Sequence, residues 1–332
     1  MSSRHAVIRA ALACAVALLA AVPLVAFPQA ASAQAYPARS IRLVIPYGPT
    51  GLPDALARLL AQRLSDVFGQ QVVVDNKPGA SGIIAAEFAA KSAPDGYTLF
   101  LTDNNLYGIN PAIFPKLPYR PERDFAPVTQ AIRGAMFLVV NASLGVNSVQ
   151  EFVALAKKRG DINYGSPGNA TLHHLGMAQL ALVTGAKMTH VPYKGVAQAT
   201  PALLTGDVAV MFASLTSVAP HAKAGKLKIL AVGAAQRSPL APEIVSMTEA
   251  GFPAVEAGTS MGIAAPAGTP RPIIDRLNAE MVKAIRAPEA EARFTAMGVE
   301  PVGNTPEQFA EQIRRDQEHY LRLVRDTGLK VE

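Results

Sequence analysis

The sequence predicts an α/β protein that holds its ligand between two lobes, and three observations carry that expectation. Short β-branched runs alternate with helical stretches along most of the chain, the pattern of a mostly parallel sheet flanked by helices. A strand, a glycine loop and a helix start follow one another twice, at residues 41–54 and 162–171. At 332 residues the chain exceeds one ordinary core, which favours two domains.

Composition narrows the function classes. Half of the residues are apolar and 17% are charged, which excludes a disordered chain. The formal charge is +6, but lysines and arginines are spread thinly, so no nucleic-acid footprint is expected. Arg4, His5 and Arg9 precede an apolar run over 10–27 and the small-residue site Ala31-Ser32-Ala33. This pattern predicts a cleavable signal peptide over residues 1–33 and an exported, soluble product. Cleavage removes two arginines, which leaves +4, and removes Cys14, the only cysteine. Thiol nucleophiles, disulfides and cysteine metal sites are then excluded. No second apolar stretch reaches membrane-spanning length.

The elements follow in order. Ile41, Leu43, Val44 and Ile45 form a strand suited to burial on both faces. Gly48 and Gly51 let the backbone turn tightly, and Leu56, Leu59, Leu60, Leu64, Val67 and Phe68 recur at helical spacing. A strand at 72–75, a turn-rich loop at 76–82, an alanine-rich helix at 83–91 and a strand at 97–101 come next. The polar loop Thr102-Asp-Asn-Asn105 then sits at the carboxyl end of a strand, the edge where open α/β sheets bind ligands. Five prolines make 111–127 irregular, and a strand is expected at 137–140. Ser148 and Glu151 form a capping box for a helix through Lys158. The strand at 162–164 runs into the second glycine loop and a helix carrying Leu172, Leu175, Leu180 and Val183. Further strands are expected at 188–191, 208–212, 229–232 and 261–264. An amphipathic helix spans 272–285, and a capping box at Thr305 and Gln308, with Pro306, opens the last helix.

Each glycine loop feeds a helix N-terminus, whose N–H groups and partial positive charge suit a carboxylate. Asp54, in a first helical turn, reads either as a dipole-compensating cap or as a salt bridge to a ligand amino group. Ser81 and Ser166 lack the spacing of a nucleophile elbow. His173 and His174 are adjacent, about 100° apart on a helix, and do not make a metal pair; they read as structural or surface residues, or one of them as facing the cleft. Lys194 reads as a solvated loop lysine or as an attractor for an acid. No catalytic residue, metal ligand or cofactor is predicted.

Several short segments together resemble one family. They include Asn76-Lys-Pro-Gly-Ala-Ser-Gly82, Pro94-Asp-Gly-Tyr-Thr98, Asp124-Phe-Ala-Pro127, Ser166-Pro-Gly-Asn-Ala-Thr171, His190-Val-Pro-Tyr-Lys-Gly195 and Ala265-Pro-Ala-Gly-Thr-Pro270. In order and spacing the chain, from about Tyr36 to Glu332, resembles the periplasmic solute-binding proteins of the tripartite tricarboxylate transporter type, the Bug receptors.

That resemblance implies a two-lobed type II periplasmic-binding fold with the ligand cleft between the lobes. Lobe one is then 34–138 with 255–332, lobe two is 139–254, and the hinge lies near 128–140 and 250–260. It implies a monomeric receptor, not an enzyme, for a small carboxylate: a dicarboxylate, an acidic amino acid or an aromatic acid. The receptor would serve a membrane tripartite tricarboxylate transporter or a sensor protein. The carboxylate is expected between Tyr47, Gly48, Pro49, Gly51 and Asp54 of one loop and Ser166, Gly168, Asn169, Ala170 and Thr171 of the other. Thr102, Asn105, Tyr193 and Ser214 are expected to complete the site. The alternative is an exported hydrolase or lyase using the same cleft. The chain departs from the family pattern at Pro49-Thr-Gly-Leu-Pro53, at Pro167 and Ala170, and at Ala213-Ser214. Each departure removes polarity or a backbone donor, which points to an acid less polar than citrate.

Overall fold

Residues 36–49 and 51–329 are described by the computed structural model. The leader expected over 1–33, and Thr50 of the first glycine loop, lie outside the described residues. From Arg39 onward the chain clusters as one unit.

The first half is built from β1 (Ile41–Ile45), α1 (Leu52–Phe68), β2 (Val72–Asn76), α2 (Ile83–Ala90) and β3 (Thr98–Asp103). β1 pairs in parallel with both β2 and β3. Its side chains are buried apart from Arg42, as a central strand requires. A π-helical turn, Asn105–Ile109, leads through the short helices α3 (Asn110–Ile113) and α4 (Pro121–Asp124) to β4 (Phe125–Asn141).

Here the structure differs from expectation. The strand expected at 137–140 runs for 17 residues, and the segment expected to be irregular contains two helical turns and the strand's beginning. Pro127 is tolerated because the β4–β9 register shifts between Pro127 and Thr129, where a missing donor costs little.

The second half comprises α5 (Val149–Arg159), β5 (Ile162–Ser166), α6 (Leu172–Thr184), β6 (Met188–Pro192), α7 (Val196–Thr205), β7 (Val210–Ser214), α8 (Leu215–Lys223) and β8 (Leu227–Val232). The chain returns through β9 (Gly258–Pro266), α9 (Arg271–Ile285), α10 (Pro288–Ala296), β10 (Glu300–Pro301) and α11 (Pro306–Thr327).

The strand order is β2-β1-β3-β9-β4-β7-β5-β6, with β8 and β10 also on β4. β4 is the shared strand. Its first part pairs with β9 and its last residues with β7 and β8. The partners change at Met136, whose N–H donates to the Ala257 carbonyl (2.9 Å) and whose carbonyl accepts from Gly233 (2.7 Å). Pairs within each βαβ unit are parallel, whereas β4 and β9 run antiparallel to their neighbours. The sheet is therefore mixed, because the two strands that carry the chain between halves meet the others head to tail.

Each half has its own core. Val44, Ala86 and Phe100 centre one. Leu138, Phe152 and Phe212 centre the other, with Phe137, Met211 and Leu203 on the opposite sheet face. α11 keeps the complete capping box at Thr305 and Gln308. It seats Phe309 against Gly262, where a Cβ would lie 2.4 Å from the ring and 2.6 Å from the Thr129 carbonyl. Farther along, its Tyr320 and Leu323 pack with Ile109 of the first half and Leu175 of α6.

Candidate functional site

A cleft of about 880 Å3 opens where the carboxyl ends of the strands, the two glycine loops and the β4 and β9 crossings meet. Of the expected residues, Tyr47, Gly48, Asn105, Asn169, Ala170, Thr171 and Ser214 line it. Pro49, Gly51, Asp54, Thr102, Ser166, Gly168 and Tyr193 do not.

The first loop is braced from behind. The Asp54 carboxylate accepts from Arg58 Nε (2.8 Å) and from Asn76 Nδ2 (3.1 Å). The same Asn76 amide donates to the Tyr47 carbonyl (3.0 Å). Asp54 thus holds the loop, with its oxygens engaged by the protein. The chain reaches α1 through Gly51 at φ +87°, a conformation that L side chains resist.

Tyr47 donates its hydroxyl to Asp103. The loop 102–105 is expected at the ligand edge, but with β3 expected to end at 101 only Thr102 and Asn105 are named from it. Two further strand residues reverse the outcome, since side chains alternate between faces. Asp103 reaches the cleft, as do Asn104 and Asn105 past the strand's end, whereas Thr102 faces a separate apolar cavity of about 230 Å3 behind the sheet. Burial pushes the Asp103 carboxyl up, opposed by the Tyr47 hydroxyl and by backbone donors at Leu106 (3.0 Å) and Asn105. Asn104 ties this edge to the rest of the fold through the Gly258 carbonyl (2.8 Å) and the Tyr320 hydroxyl (2.9 Å).

The second loop rests on histidines. Ser166 is fully buried and its Oγ lies 2.8 Å from the Gly168 carbonyl and 2.6 Å from His190 Nε2. Thr171 caps α6 and also donates to the Gly168 carbonyl (2.9 Å). Ala170 adopts φ +56° and donates its N–H to His174 Nδ1 (3.0 Å), so that nitrogen carries no proton. The His174 and His190 rings stack at 3.7 Å, with Tyr164 over His190 at 5.0 Å. Burial, reinforced by His190, lowers His174 to about 4. His190 is lowered by burial as well. His173 lines the cleft, and its Nδ1 is buried without a hydrogen-bond partner among the described residues. The Ser166–His190 pair is no nucleophile: the hydroxyl is sealed beneath the loop, away from the cleft.

Two features of the cleft matter chemically. Five helices, α1, α2, α6, α7 and α8, begin at its wall, at Leu52, Gly82, Leu172, Val196 and Ser214. No lysine or arginine lines it among the described residues. Between the polar ends lie Ile109, Ile113, Phe114, Met136, Met261 and Met297. The methionines come from crossings and turns that no local pattern marks as site-forming.

The chain matches the model of the tripartite tricarboxylate transporter family receptor over residues 56–329. It is 35% identical to BugT of Bordetella pertussis over 303 residues, covering 91% of this chain and 93% of BugT. Among similar solved structures is a Rhodopseudomonas palustris protein with adipate. It shows 32% identity and a TM-score of 0.75, covering 89% of this chain and 99% of that one. Another is MatC of the same organism with bound malate. It shows 29% identity and a TM-score of 0.71, covering 87% of this chain and all (100%) of that one. The chain belongs to the tripartite tricarboxylate transporter receptor family, a family of solute-binding receptors with the type II periplasmic-binding fold and not of enzymes.

Proposed function

We propose that this protein is an exported periplasmic receptor that captures a small carboxylate in the cleft and passes it to a membrane transporter or a sensor. One observation carries the reading: five helices begin at the wall of a cleft that, among the described residues, carries no lysine or arginine. First-turn N–H groups lack helical partners and carry partial positive charge, so they bind a carboxylate without a lysine or arginine. The adipate and malate held by the two similar proteins are acids of this class. The methionine and isoleucine walls favour an acid with an apolar body over one as polar as citrate.

In this reading the lobes divide at the two crossings, a few residues from the boundaries at 138 and 254 that the resemblance implies, since Leu138, Val255 and Ala257 pack in the second core. The hinge is the pair of crossings at Ala135–Met136 and Ala257–Gly258. Only a closed form engages N-termini from both lobes, so the ligand shifts the open–closed equilibrium towards closure.

A thermal-shift screen against dicarboxylates, acidic amino acids, aromatic acids and neutral amides tests this. A ligand at 100 times its Kd raises stability by about 2.7 kcal/mol, a readily measured shift in Tm. Shifts confined to acids support the reading. Shifts with neutral amides alone contradict it.

A further inference from the structure

The carboxylate reading leaves one feature of the cleft unused: the only acid on its wall among the described residues is Asp103. Every hydrogen bond recorded at Asp103 comes from a donor. Tyr47 gives its hydroxyl to Oδ2 and Leu106 its backbone N–H to Oδ1. The Leu106 N–H fixes Oδ1 as an acceptor, and the hydroxyl that Tyr47 donates to Oδ2 favours the charged form there. Burial works against the charge, and these donors work for it. Among the described residues no lysine or arginine on the cleft wall neutralises it. Asp54, the other acid of this region, is engaged behind the loop by Arg58 and Asn76.

The cleft is thus polarised. Helix N-termini attract an anion from both halves, at Leu52 and Gly82 in the first and at Leu172, Val196 and Ser214 in the second, but only the first half also sets a carboxylate on the wall. The Tyr47–Asp103 edge of the first half repels one and accepts hydrogen bonds. A ligand with a carboxylate at each end would bring one of them to Asp103, setting like charges side by side.

Resting on the receptor reading above, we infer that Asp103 is a specificity-determining residue. It selects a monocarboxylate whose far end is a hydrogen-bond donor (ammonium, hydroxyl or amide) and rejects the chain-matched dicarboxylate. In this respect the protein parts from its adipate-binding and malate-binding relatives.

Calorimetric titration of the purified receptor with adipate, aminohexanoate, hydroxyhexanoate and adipamate tests the inference at constant chain length; the same set at shorter length covers the size of the cleft. A donor-bearing acid is expected to bind about tenfold or more tighter than its diacid. In Asp103→Asn that ratio collapses or reverses, because the charge is lost while the shape is kept. Tyr47→Phe removes one donor but leaves the carboxylate, so the sign of the preference survives in this second variant. Equal or tighter binding of the diacid by the native receptor, or an unchanged ratio in Asp103→Asn, overturns the inference while leaving the carboxylate reading standing. Failure of every acid to bind overturns both.

Discussion

The two glycine loops perform the same task with opposite chemistry. The loop before α1 is braced by a carboxylate and amide network, Asp54 with Arg58 and Asn76, and it borders the buried acid Asp103. The loop before α6 is braced by Ser166 and the neutral stacked rings of His174 and His190. The same backbone device can stand on either support, and the support decides how the loop responds to acid. Asp103, raised by burial, is relieved as pH falls. His174 and His190, lowered by burial, are strained by the same change.

The largest effect expected from this contrast is on pH-dependent stability. His174 titrates near 6.5 when unfolded and at about 4 when folded, so folding favours the neutral ring. Its contribution is complete above pH 6.5 and is lost as pH falls towards 4, on the order of 2–3 kcal/mol. His174→Gln keeps an acceptor for the Ala170 N–H and removes the charge change. Chemical denaturation at pH 7 and pH 4.5 should show a smaller acid loss in this variant than in the native chain. Equal losses would break the contrast.

Next in size is Asp54→Ala. It leaves the Asn76 amide with only the Tyr47 carbonyl, and destabilisation of about 2 kcal/mol is expected. Urea titration at pH 7 measures it. Ser166→Ala should cost about 1 kcal/mol, because the Gly168 N–H and His190 each lose a partner. The smallest change is a gain. Ala170→Gly removes a Cβ from a left-handed position and should raise stability by about 0.5 kcal/mol, read as a small rise in Tm.

Much of this was legible in the sequence where the cause is local. The glycine loops and the capping box at Thr305 declare themselves through residues a few positions apart, and all are present. The Ser148 box is half kept: Ser148 caps Glu151, but the Glu151 side chain accepts from Asn147. Features that depend on distant partners were not legible. His190 reaches His174 only because β5 and β6 pair in parallel and place Tyr164 beside His190. Asp103 joins the site only because β3 runs two residues farther than its apolar run, a length set by pairing with β9 through Asp103 and Met261. Met136 owes its place to the point where β4 changes partners.

The most direct measurement is the amide NMR spectrum of the receptor titrated with the acid that gives the largest thermal shift. The first-turn N–H groups of α1 and α2 in one half and of α6, α7 and α8 in the other should move together at one shared Kd. Shifts confined to a single half, or none at these helix starts, would contradict capture of a carboxylate between the two halves.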